Sequence, residues 1–166
     1  MTKVVLLERL RDFTRTATGE IIMPTKMQKG DTEQKYRAAD VYLMRLPDSN
    51  SATKKAPYIL HQVITGKDTQ PSGNRPESSV TVRSIFCVYH DNEEEGEEEG
   101  GMMLLNLMET LRIALMRQVV IGRQFQLDLE AGIETLVYPE DTAPFYAGEM
   151  ITTWSLPAVE REVSFV

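Results

Sequence analysis

Apolar residues of the first segment recur at helical spacing. Val5, Leu6, Leu10 and Phe13 fall on one side, while Arg9, Arg11, Asp12 and Arg15 fall on the other. The pattern predicts a helix capped by Thr2 that fades between Thr16 and Gly19. Residues 17–38 contain Pro24, Gly30 and many polar side chains, which predicts an irregular segment. Within it, Ile21-Ile22-Met23 could form a short strand or anchor to the core.

Strand patterns follow. Asp40 to Leu46 reads as a strand stopped by Pro47-Asp48, and Ser49 to Lys55 as a polar connection. Tyr58 to Thr65 reads as a second strand ending at Gly66-Lys67-Asp68. Pro71, Gly73, Asn74 and Pro76 mark residues 69–78 as a flexible hairpin tip. Ser79 to Tyr89 carries the clearest alternation. Val80, Val82, Phe86 and Val88 face one way, and Ile85, Cys87 and Tyr89 the other. Apolar residues on both faces predict a central strand.

A second helix is expected from about Gly101 to Val120. Leu104, Leu107, Met108, Leu111, Ala114 and Leu115 make its apolar stripe, and Gly122 is placed to end it. Arg123 to Leu129 alternates, Ile133 to Tyr138 is a further strand candidate broken by Pro139, and Phe145 to Leu156 is a long strand stopped by Pro157. Tyr146, Met150, Thr152 and Trp154 share one face of that strand, with Trp154 expected in the core. The tail from Ala158 to Val166 could be extended. These elements predict one α+β domain over residues 1–166, with a largely antiparallel sheet and two main helices packed on one face.

Composition supports a packed fold. The chain has 166 residues, 42% hydrophobic and 26% charged, enough to bury a core without disulfides or a structural metal. Its single cysteine, Cys87, lies in the apolar run Ile85-Phe86-Cys87-Val88 and should pack as a small hydrophobe. No run of 18 apolar residues is present, and Glu8, Arg9, Arg11 and Asp12 come too early for a secretory h-region. The expectation is a soluble protein made in a reducing cytoplasm.

Charge is concentrated in one place. The net charge is −7, and Asp91, Glu93, Glu94, Glu95, Glu97, Glu98 and Glu99 supply seven acids within nine residues. The remaining 18 acids balance the 18 bases. A neutral body with one acidic loop argues against general or sequence-specific nucleic-acid binding, which needs a basic face. The loop is a poor calcium site. Asp91 and Gly96 suit the first and sixth positions of an EF-hand loop, but Glu93 and Glu95 are weak substitutes and Met102 stands where the bidentate glutamate belongs. A solvated loop, a weak divalent-ion site and a loop that grips a basic partner stay open as readings.

Chemistry-bearing motifs are scarce. His61 and His90 stand apart in the sequence, and no Cys or His cluster with metal-ligand spacing exists. There is no Gly-x-Ser-x-Gly elbow, Walker A loop or Gly-x-Gly-x-x-Gly. The expectation is a protein without catalytic residues, cofactor or metal. Met102 and Met103 cluster at the start of the second helix, where they could pack at the core rim or face a neighbouring subunit.

Three stretches carry a resemblance to a known family. They are Val82 to Asp91 followed by Leu104 to Arg112, then Pro144 to Pro157, and Ala56 to Leu60 with Gly66-Lys67-Asp68 after it. Residues 56–157 thereby resemble the tail terminator, or tail completion, proteins of long-tailed bacteriophages. The Glu-rich insertion within that range and the segment 17–38 before it are not features the family requires. The resemblance implies a structural virion protein without a cofactor, made in the bacterial host and built into the tail. It implies a ring, usually a hexamer, that caps the tail tube protein and meets the head–tail connector protein. Each subunit would then offer two different edges. The hairpin over residues 66–79, including Arg75, would be a natural subunit contact. The acidic loop, with Asp91, Glu93, Glu94, Glu95, Glu97, Glu98 and Glu99, would lie on a ring face or in the lumen, where negative charge would repel the DNA backbone, and these residues with Met102, Met103 and Arg75 would be candidates for a partner or subunit interface. Competing readings are another neck, head-completion or minor tail protein, a monomeric module that uses its acidic loop, and an enzyme.

Overall fold

The computed structural model describes residues 2–47, 55–73, 75–91, 96, 98–160 and 162. Helix α1 (Thr2–Thr18) leads into a two-stranded ribbon of β1 (Met23–Pro24) and β2 (Tyr36–Arg37). Then come β3 (Asp40–Leu43), β4 (Tyr58–Thr69), β5 (Glu77–Tyr89), helix α2 (Glu99–Gln118), β6 (Val120–Ile121), β7 (Phe125–Leu127), β8 (Glu134–Val137) and β9 (Phe145–Leu156). The main sheet runs β3-β4-β5-β9-β7-β6, and β8 pairs with the remaining length of β9. Every pair is antiparallel except β3–β4, which is parallel. Both helices lie on one face of this sheet, as expected for an α+β domain.

Strand alternation builds the core between helices and sheet. Val80, Val82, Phe86 and Val88 of β5 and Met150, Trp154 and Leu156 of β9 point at the helices and are buried. They meet Leu6 and Leu10 of α1 and Leu104, Leu107, Met108, Leu111 and Leu115 of α2. Burying each large side chain is worth roughly 1.5–3 kcal/mol. Trp154 is fully buried, and its Nε1–H donates to Thr152 Oγ1 at 2.9 Å, so its polar edge is satisfied inside the core. Gly148 lets β9 pass under α2, because a Cβ there would stand 2.8 Å from the Leu136 carbonyl oxygen and 3.0 Å from the Met108 sulfur.

The opposite face holds a smaller apolar cluster of Ala56, Tyr58, Leu60, Cys87 and Tyr89, with Tyr42, Leu46, Ile85, Phe145 and Ala147 around it. Cys87 packs there as a small hydrophobe, and burial pushes its thiol up to about 11. Arg37 staples the incoming segment to this end of the sheet. Its guanidinium donates to the carbonyls of Lys55 (2.7 Å), Pro57 (2.9 Å) and Ala38 (3.1 Å), and it pairs with Asp40 at 2.9 Å.

Several element boundaries differ from the sequence reading. Thr2 lies inside α1 and not before it. The helix continues to Thr18 because Thr14, Thr16 and Thr18 donate their hydroxyls to the carbonyls four residues back, which keeps them satisfied within the helix. Within segment 17–38, Met23 opens β1 and is fully buried, in keeping with the short strand or core anchor expected at residues 21–23. The strand expected over 40–46 ends at Leu43, where Met44 turns the chain with φ 66°. The hairpin strands are longer than expected, and the tip shrinks to residues 70–76.

Gly122 does not end α2. That role falls to Val119, at φ 61°, whose N–H donates to the Leu115 carbonyl. Gly122 (φ 60°) and Arg123 (φ 64°) instead make the turn joining β6 to β7. Only Phe125–Leu127 of the alternating run 123–129 pairs as a strand. Pro157 to Glu160 is not in a strand. The expected polar connection at 49–55, apart from Lys55, and the end of the tail at 163–166 lie outside the described residues.

Candidate assembly edges

The sheet is open, and its two sides are unlike. On one side β3 covers only the first four residues of β4, in the register Asp40↔Tyr58 to Leu43↔His61. Met44 extends that cover slightly. Its N–H donates to the His61 carbonyl (2.8 Å), its carbonyl accepts from Gln62 Nε2 (2.9 Å), and its sulfur accepts the Val63 N–H at 3.4 Å. Beyond this point β4 has no strand on its outer side among the described residues. A bulge between Val63 and Thr65 marks the start of the free stretch, and Ile64 through Asp68 are exposed. Bulges commonly sit at sheet edges, where they end or redirect pairing.

On the other side, β8 pairs with β9 from Glu134↔Ile151 to Val137↔Gly148 and has no outer partner among the described residues. All four residues of β8 are exposed, Leu136 at 51% and Val137 at 43%. A free strand edge presents unpaired N–H and C=O groups and is a template for pairing with another chain. The β4 edge reads Ile64-Thr65-Gly66-Lys67-Asp68 and the β8 edge Glu134-Thr135-Leu136-Val137. Because the two edges differ and lie on opposite sides of one sheet, joining them between copies gives a head-to-tail contact.

The hairpin formed by β4 and β5 carries Arg75 within its tip, where it is exposed. Ser78 Oγ donates to Asp68 Oδ1 at 2.6 Å and clamps the two strands near that end. A cleft opens between the tip and the segment after β9, lined by Asp68, Thr69, Gln70, Pro76, Glu77, Ala158 and Val159.

The acidic residues sit at the other end of β5. Asp91 is exposed and accepts from the Tyr89 hydroxyl at 3.4 Å. The His90 N–H donates to the Pro144 carbonyl at 2.9 Å, which fixes the loop's departure point. Glu98 occupies the N-cap position of α2 without a side-chain cap, and Glu99 is the first helical residue, where the helix dipole favours its charge. Glu93, Glu94, Glu95 and Glu97 lie outside the described residues. Met102 is 60% exposed, whereas Met103 packs against the core margin.

The expected interface residues therefore do not form one patch. Asp91, Glu98, Glu99, Met102 and Met103 gather at one end of the sheet, and Arg75 lies at the far end of β5, on the order of 40 Å away. The sequence reading did not single out the β8 edge as a contact surface or Ile64 as an edge residue. The signal for β8 is the polar–apolar mixture of Glu134-Thr135-Leu136-Val137, which reads as a weak strand until its neighbours are known.

The only close Ser–His pair among the described residues is structural. Ser84 Oγ and His61 Nδ1 are 2.7 Å apart, but both side chains are buried in the core, His61 completely. Among the described residues, no three His, Cys, Asp or Glu side chains converge as metal ligands. No helix there is long and apolar enough to cross a membrane. Comparison with models of known protein families and with curated proteins finds no match.

Proposed function

We propose that this chain is a structural virion protein, a tail terminator that assembles as a homo-oligomeric ring on the end of a phage tail tube and presents the other ring face to the head–tail connector. One observation carries the reading: a single sheet with two unlike free edges on opposite sides, the distal part of β4 and the whole of β8. A subunit built this way joins its neighbour by a heterologous contact, and such contacts close into a ring when the rotation per subunit allows it. The resemblance of residues 56–157 to tail terminators supplies the ring's expected size, a hexamer, and its location in the virion. The long β4–β5 hairpin adds reach to one edge. Lys67 on the β4 edge can meet Glu134 on the β8 edge across such a contact.

The mechanism is geometric. Ring closure uses the free β4 and β8 edges of every subunit, so neither stays open for further head-to-tail growth. The ring's two faces remain distinct, one for the tube and one for the connector. No bond is made or broken, and no cofactor enters the reading.

The test is the absolute mass in solution by light scattering over a wide concentration range, followed by electron microscopy of the largest species. A closed ring near six subunits is the expected result. Adding that ring to polymerising tail tube protein should stop tube growth. A protein that stays monomeric both alone and with tail tubes would overturn the reading.

A further inference from the structure

Helix α2 has two apolar sides. Leu104, Leu107, Met108, Leu111 and Leu115 are buried against the sheet. Met102, Leu105, Ile113 and Met116 are exposed, at 60%, 43%, 39% and 44%. At about 100° per residue these four and Glu109 fall within about 80° of one another, opposite the buried stripe. A helix lying on a sheet needs only one apolar side, so the outer stripe is unexplained by the fold. Methionine at both ends makes it adaptable, as methionine-rich contact surfaces are.

The stripe is nearly palindromic. Leu105 and Ile113 stand four residues to either side of Glu109, and Met102 and Met116 stand seven. Glu109 itself is held by Arg112 through two contacts, Nη2 to Oε2 at 2.7 Å and Nε to Oε1 at 3.1 Å. Charge also runs along the helix. Glu98 and Glu99 stand at its N-terminal end and Arg117 in its last turn.

We propose that the outer face of α2 is a two-fold interface with a second copy of this chain, the two helices packing antiparallel about an axis at Glu109. This arrangement sets Met102 of one copy over Met116 of the other and Leu105 over Ile113. It places Arg117 of each copy beside the acidic first turn of its partner and opposes the two helix dipoles favourably. A parallel pairing would instead bring the two acidic runs together. At the axis each Glu109 keeps its own Arg112, so like charges do not meet bare. The four apolar side chains expose on the order of 400 Å² per copy, the size of a functional patch. That lies at the low end of interface areas, so the contact is weak and forms at micromolar concentrations or above. The contact is independent of the ring: it is two-fold and uses a helix, whereas the ring is head-to-tail and uses sheet edges.

Sedimentation equilibrium of the full chain tests it, with the double variant Ile113→Glu, Met116→Glu as the control. Both sites are exposed, so far-ultraviolet circular dichroism and Tm should not change. The two-fold association, seen as a dimer or as a doubled ring, should weaken at least tenfold. Single cysteines then fix the orientation, since the native Cys87 is buried. Glu109→Cys should cross-link to itself under mild oxidation. Met102→Cys should cross-link to Met116→Cys when the two proteins are mixed, and poorly to itself, because its two copies would stand about 21 Å apart. Absence of two-fold association at several hundred micromolar would overturn the proposal. So would association that the double variant leaves intact, or efficient self-cross-linking of Met102→Cys. A ring without doubling refutes the helix contact alone, and a dimer that forms no ring even with tail tubes refutes only the ring.

Discussion

His61 Nε2 lies 2.8 Å from Thr14 Oγ1 and ties the first helix to a strand 47 residues away in sequence. The direction of the bond follows from proton counting. Thr14 has one hydroxyl proton and donates it to the Leu10 carbonyl at 2.7 Å, so Thr14 must accept from His61 Nε2–H. His61 Nδ1 is then an acceptor, and Ser84 Oγ, 2.7 Å away, donates to it. The relay Ser84 to His61 to Thr14 to Leu10 satisfies every member with a neutral imidazole. A proton on Nδ1 would remove the acceptor that Ser84 uses.

The neutral imidazole makes the fold acid-sensitive. Burial pushes the His61 pKa down from 6.5 to about 3. Between these values the unfolded chain binds a proton that the folded chain does not, so stability rises with pH across the window. The contribution is fully present above about pH 6.5 and is lost as the pH falls toward 3. Urea denaturation at pH 7 and pH 4.5 should differ by a few kcal/mol from this residue alone. His61→Leu should lower stability at pH 7, because it strands Ser84, and should flatten the slope between pH 6.5 and 4. An unchanged slope in that variant would place the acid sensitivity elsewhere.

Cys87 should be chemically quiet. It is 4% exposed, and its pKa near 11 leaves almost no thiolate at neutral pH. Reaction with a disulfide reagent should be slow in buffer and should accelerate by orders of magnitude across the denaturation transition. A fast native reaction would mean that the cluster around Tyr58 and Tyr89 opens readily.

Gly100 is the tightest glycine in the core. A Cβ there would overlap the ring of Tyr146, which fixes how closely the start of α2 approaches β9. Gly100→Ala should destabilise by roughly 1–3 kcal/mol as an overpacking change. Alanine at the neighbouring Gly101 meets nothing within 4 Å and should cost nothing or stabilise slightly. The pair of melting curves separates packing from helix propensity.

Much of this fold is written in its periodicities. The stripe from Leu104 to Leu115 fixes α2, and the two-sided apolar pattern of Ser79 to Tyr89 places β5 inside the sheet. Boundaries were less legible where tertiary contacts override local preference. Val119 ends α2 in a conformation that favours glycine, while the nearby Gly122 serves a hairpin turn. The parallel β3–β4 pair was also hidden, since no local signal distinguishes it from a hairpin. As for the assembly surfaces, the acidic run is obvious from composition, but it does not reveal which edges stay open. Edge status belongs to the whole sheet: Glu134–Val137 is an edge because β8 pairs with β9 on one side and has no strand on its other side among the described residues. The outer stripe of α2 was readable in principle, as a second period hidden behind the stronger inner one.

The edge contact makes its own prediction. Ile64 and Leu136 are exposed apolar residues, one at the start of the free stretch of β4 and one in the middle of β8. Proteins keep strand edges apart by placing a charge on them. Ile64→Lys and Leu136→Lys should therefore each abolish ring formation while leaving Tm within about 2 °C, since exposed substitutions away from packed contacts change stability by less than about 0.5 kcal/mol. In a head-to-tail ring the two variants carry complementary defects: each retains one intact edge, and the two intact edges differ. In the Ile113→Glu, Met116→Glu background, which removes the helix contact, mixing them should give a dimer joined through the intact β4 edge of Leu136→Lys and the intact β8 edge of Ile64→Lys, with no larger species. A two-fold edge contact predicts the reverse pattern in that background, in which each variant dimerises alone through its intact edge. Light scattering of each variant and of the equimolar mixture decides between them, and a full ring from either variant alone would remove these edges from the assembly.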